Sequence, residues 1–106
     1  MIRLEIRKRN TQYVGFLSQG HAGYAEAGYD IICAAVSVLV VNTINAIERF
    51  TKDQFSVHED DGQVELVLTN QVSKETALLL DTMVLGLKDI QESYSDKYIQ
   101  LEIKEV

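Results

Sequence analysis

Apolar and charged residues alternate strictly at the start of the chain: Ile2, Leu4 and Ile6 are separated by Arg3, Glu5 and Arg7. A period of two places each set on its own face, so this stretch reads as a half-buried β-strand. Arg7-Lys8-Arg9 and Asn10-Thr11 follow as the solvated end of a hairpin. Gln12 to Ser18 is its second strand, with Tyr13, Gly15 and Leu17 on one face and Val14 and Phe16 on the other. From Ile31 the pattern becomes helical and continues to Phe50, with Asp30 as the N-cap. The valines at 36, 38, 40 and 41 would also suit a strand. Length and the amphipathic second half decide for a helix of about 20 residues, roughly 30 Å long.

Phe55 to Glu59 and Val64 to Leu68 flank Asp60-Asp61-Gly62, a hairpin turn. Ser73 caps a second helix reaching about Ser93, with Ala77, Leu80, Val84, Leu87 and Ile90 along its apolar stripe. Gly86 within it costs about 1 kcal/mol relative to alanine, which predicts a close approach of another element there. Tyr98 to Ile103 is a last strand. The order β-β-α-β-β-α-β lets two helices cover one sheet. The expectation is an α+β fold, a single domain over residues 1–106, built as a two-layer α/β sandwich with a mixed or mostly antiparallel sheet. Strand order does not follow from the pattern.

Composition narrows the function. Net charge is −6, from sixteen acidic and ten basic side chains. Such a surface repels phosphate backbones, so no direct nucleic-acid partner is expected, whereas a basic protein or peptide would be attracted. The single cysteine cannot form an internal disulfide, which is compatible with a reducing compartment. Met1 to Asn10 has no apolar signal-peptide core. The mainly apolar run from Ile31 to Val41 is eleven residues, against the roughly 20 that span a bilayer. A cytoplasmic protein without a membrane partner is expected.

The chemistry concentrates between residues 20 and 37. His21 lies in a glycine-rich loop, and twelve residues later Cys33 falls in the first turn of the helix capped by Asp30. A thiol at a helix N-terminus with an imidazole on a nearby loop is what a nucleophile and its base require. The macrodipole would lower the thiol pKa, the Asp30 carboxylate would raise it, and pattern alone does not rank the two. First-turn amides are candidates for holding an oxyanion. Ser37, one turn on, shares the face of Cys33. Gly23, Tyr24, Gly28 and Tyr29 are the candidate substrate loop.

Blander readings stand beside these. A lone cysteine in an apolar helix is often an inert core residue, a loop histidine is often merely solvated, and Ser37 could simply bond the preceding turn. His58, in a strand beside an acidic turn, reads as a surface histidine. No metal or cofactor is expected: His21, Glu26, Asp30 and Cys33 lack zinc-ligand spacing, and Gly23 to Gly28 lacks the lysine of a phosphate-binding loop. A redox-sensing thiol is disfavoured because the chain has no resolving cysteine.

The block Gly20-His21-Ala22, followed by Gly28-Tyr29-Asp30-Ile31-Ile32-Cys33-Ala34-Ala35-Val36-Ser37, closely resembles the ribosomal-processing cysteine protease family, Prp. Ile32 stands where valine is common, a difference of one methylene. The resemblance implies a cytoplasmic Cys–His endopeptidase. Its partner would be the N-terminal peptide of a large-subunit ribosomal protein, cleaved after an aromatic residue. It makes His21 and Cys33 the catalytic pair and Gly20, Asp30 and Ser37 accompanying positions, and it implies a homodimer with a loop that orders over substrate. The alternative from the residues themselves is a non-catalytic binding module for a basic ribosomal protein or peptide.

Overall fold

The computed structural model describes residues 1–23, 25–26 and 30–106. Its elements are β1 (Ile2–Arg9), β2 (Gln12–Gly20), α1 (Ile31–Phe50), β3 (Phe55–Asp60), β4 (Gln63–Leu68), α2 (Lys74–Tyr94) and β5 (Ile99–Glu105). The five strands form one sheet in the order β3-β4-β2-β1-β5. All neighbours are antiparallel except β1 and β5, which run parallel. The expected α+β class and element order are therefore present, and the sheet is mixed.

Register explains why this order buries the apolar positions. Ile103 pairs with Ile6, Ile6 with Phe16, Phe16 with Leu66 and Leu66 with Val57, so an apolar row crosses all five strands. Because side chains alternate, matching these positions puts the apolar set of every strand on one face. Both helices lie on that face. α1 contributes Ile32, Val36, Val40, Ile44 and Ile47, and α2 contributes Leu80, Met83, Val84 and Leu87. Ala77 and Ile90 of the expected stripe pack at its margin. Gly86 has the predicted reason: a Cβ there would lie 3.0 Å from Leu39 Cδ1 of α1.

Two readings of the pattern need correction. Tyr13 and Phe16 do not take opposite faces; both are core residues. The register slips between Arg7 and Lys8, so that Arg7 faces Gly15 while Lys8 faces Tyr13. The extra residue is a bulge that interrupts strict alternation and brings Tyr13 inward, where its hydroxyl donates to Asp81. The second correction concerns α1, whose length and composition would suffice to cross a membrane, although the apolar run at its start is short. Here its apolar face is part of the core.

The Arg7-Lys8-Arg9 cluster is largely engaged at the hairpin. Arg7 bonds Glu5 and Glu65, both at 2.6 Å, and Lys8 lies over the Tyr13 ring at 4.3 Å.

Candidate active site

The site forms where the inner row of the sheet loses bulk. Across the central strands Leu4 faces Ser18, which faces Val64, and the adjoining row ends with Ile2 facing Gly20. Small side chains at 18 and 20 leave space beneath the first turns of α1. The resulting cavity of about 200 Å³ is lined by both His21 and Cys33.

β2 delivers His21. Gly20 adopts φ +93°, and a Cβ there would collide with the Met1 carbonyl. Only glycine accepts that backbone and that contact without strain. The Gly20 N–H donates to the Gly62 carbonyl at 3.0 Å, and the His21 carbonyl accepts a hydrogen bond from the Met1 amino group. His21 thus leaves the sheet from an anchored backbone while its side chain stays exposed. Next to it, the N–H of buried Ala22 donates to Cys33 Sγ at 3.2 Å.

α1 delivers Cys33. Asp30 is the N-cap, and one carboxylate oxygen accepts from the N–H groups of Ile32 and Cys33, each at 3.0 Å. The Asp30 carbonyl takes the Ala34 N–H at 3.1 Å. Three of the first-turn amides are therefore occupied, which corrects the expectation that they stand ready for an oxyanion. The N–H aimed at the Cys33 sulfur comes instead from Ala22, on the loop side.

The competing influences on the thiol resolve upward. Burial pushes the Cys33 pKa above its ordinary value. The Ala22 N–H opposes this, while the Asp30 carboxylate, through a hydrogen bond to the thiol and its charge, adds to it; the Met1 ammonium pulls weakly down. The surroundings of the half-buried cysteine thus favour its thiol form.

Gly20 and Ser37 line the same cavity as the pair, and Asp30 braces its helix. Gly23 has φ +70° with open space around it. Tyr24, Gly28 and Tyr29 lie outside the described residues. His58 pairs opposite Glu65 on the exposed surface of β3 and does not line the cavity. Pattern reading missed the contribution of the β3–β4 hairpin: Glu59, Asp60 and Gly62 all border the cavity. The turn was visible, but its position depends on β4 pairing with β2. A larger concavity of about 810 Å³ lies around Arg7, Arg9, Tyr13 and Lys104, and has neither thiol nor imidazole. Among the described residues no group of three or more His, Cys, Asp or Glu side chains is placed to hold a metal.

Comparison with known proteins places the fold and the sequence in one family. The family model for cysteine protease Prp matches residues 1–100. A ribosomal processing cysteine protease Prp from Staphylococcus aureus is 32% identical over 90 residues, covering 83% of this chain and 84% of the relative. That from Bacillus subtilis is 28% identical over 103 residues, covering 91% and 92%. The S. aureus crystal structure with a covalently linked product peptide superposes with a TM-score of 0.93 at 30% identity, covering 98% of this chain and 100% of the other. With a matching fold and a family match across nearly its whole length, this chain belongs to the Prp family of cysteine proteases.

Proposed function

We propose that this chain is an endopeptidase that removes a short N-terminal extension from a large-subunit ribosomal protein, cleaving after an aromatic residue. Cys33 is the nucleophile and His21 its base. The observation that carries this reading is that His21 and Cys33 line one cavity, while the Ala22 N–H points at Sγ. Because the surroundings favour the thiol form, His21 takes its proton as Sγ attacks the scissile carbonyl. It then gives that proton to the departing amine, leaving a thioester. Water, activated by the same imidazole, hydrolyses the thioester and restores the thiol. The covalently linked product peptide of the S. aureus relative supports a nucleophilic route.

The net charge of −6 suits a basic ribosomal protein before it meets RNA, which supports a reaction ahead of ribosome assembly. The family resemblance further implies a homodimer as the working form. The second reading, a non-catalytic clamp for a basic peptide, has the raised thiol pKa on its side.

Mass spectrometry of a ribosomal precursor incubated with each protein separates the two readings. Wild type releases the N-terminal peptide, and Cys33→Ala and His21→Ala, both folded, release none. Undiminished cleavage by Cys33→Ala sinks the protease mechanism, and precursor captured intact by wild type favours the clamp.

A further inference from the structure

We propose that Gly62, at the tip of the β3–β4 hairpin, is a positioning residue that seats the His21 imidazole for its reaction with Cys33. The inference rests on the reading of His21 as the base and names the device that orients it. The imidazole projects from an exposed backbone position, and an exposed side chain ordinarily samples several rotamers. Here its edge occupies the side of Gly62 where a side chain would start: a Cβ built at that glycine would be 3.3 Å from Nε2 and 3.7 Å from Cε1. The first distance is tighter than most real Cβ contacts, so a side chain at 62 makes the ring give by a few tenths of an ångström.

The platform and the histidine are built as one unit. Gln63 pairs with Gln19, and the Gly62 carbonyl accepts the Gly20 N–H at 3.0 Å, one residue before His21. The hairpin tip is thereby fixed to the backbone that carries the ring it supports. Gly62 holds φ +70°, the left-handed region that glycine enters without penalty. A local requirement of the turn and a non-local requirement of the imidazole converge on one residue. Proton transfer is sensitive to placement: a displacement of about 1 Å can cost on the order of a hundredfold in rate, and the smaller shift here costs correspondingly less.

The test is steady-state cleavage of a precursor-derived peptide by Gly62→Ala, with thermal melting and NMR of the two histidines. The expected result is a kcat lower by about tenfold with KM within about twofold of wild type, since the bound peptide is unaffected while the base is misplaced. The His21 ring resonances move, and those of His58, the internal control on β3, do not. Gly62→Asn guards against simple misfolding, because asparagine tolerates positive φ yet still carries the Cβ. It recovers melting temperature lost in Gly62→Ala without recovering kcat. An unchanged kcat in folded Gly62→Ala overturns the proposal. So does a loss that only tracks the unfolded fraction, with His21 resonances in their wild-type positions. His21→Ala is assayed alongside. Full activity in that variant defeats the reading of His21 as base, whereas its inactivity beside normal Gly62 variants defeats this inference alone.

Discussion

The two helices begin with the same local device and use it for different ends. At the start of α1, Asp30 accepts the N–H groups of Ile32 and Cys33; at the start of α2, Ser73 accepts the N–H of Thr76. The Ser73 cap is buttressed from the segment between α1 and β3. Asp53 receives the Ser73 N–H at 3.0 Å, the Ser73 hydroxyl at 2.6 Å and the hydroxyl of fully buried Thr76. That arrangement satisfies polar groups at the core margin and touches no chemistry. The Asp30 cap sits beside a thiol, so the carboxylate that locks the first turn also opposes ionisation of Cys33. A cap can be a stability element or part of a reactive site, and its neighbours decide which.

Removing each cap should break the two regions apart. Asp30→Ala frees the first turn that carries Cys33 and is expected to reduce peptide turnover at least tenfold, by loss of placement. Ser73→Ala is expected to cost about 1 kcal/mol of stability and leave turnover unchanged. Urea melts and cleavage assays on both variants check this, and equal losses of turnover would erase the distinction.

Asp53 offers the next largest effect. Asp53→Ala strips the Thr76 hydroxyl of its carboxylate partner and should cost about 2 kcal/mol in the urea melt. The hydrogen bonds from Ser73 and Thr76 hold the Asp53 pKa below the ordinary aspartate value. A carboxyl whose folded pKa is depressed stabilises the fold above its unfolded pKa, and that contribution fades as pH falls towards the folded value. Urea midpoints compared at pH 7 and pH 3 should therefore fall less in Asp53→Ala than in wild type. An equal fall in both removes Asp53 from the acid response.

The smallest effect separates the two roles of Asp30 itself. Asparagine can accept the same N–H groups without the charge. Asp30→Asn should keep the cap and let the Cys33 pKa fall, so that iodoacetamide alkylates the thiol several-fold faster at pH 7. Unchanged alkylation would assign the raised pKa to burial alone.

The site was legible where its signals are local. Asp30 followed by an apolar periodic run marks the helix start, and with it the place of Cys33 in a first turn. Asp60-Asp61-Gly62 between alternating segments marks a hairpin, and Gly86 within the α2 stripe marks a close approach that Leu39 supplies. The inward turn of Tyr13 was hidden because a bulge is a property of two paired strands, and no run of residues in β2 alone announces it. The direction of the Cys33 pKa was hidden because desolvation, its leading cause, is set by what packs around the thiol.

What the sequence by itself determined is the alphabet of the site: a histidine, a cysteine in a capped turn, and element types read from periods of two and 3.6. Those are near-neighbour properties, governed by sterics and hydrogen bonds within a few residues. The tertiary structure decided the rest. Pairing of β2 with β4 carried the hairpin tip 41 residues along the chain to the side of His21, since 62 − 21 = 41. Packing of α1 over Ser18 and Gly20 enclosed the cavity, and the Ala22 N–H was turned onto the sulfur. Such contacts arise only when the apolar rows of the five strands align and bury together, because that burial is what fixes one register among many.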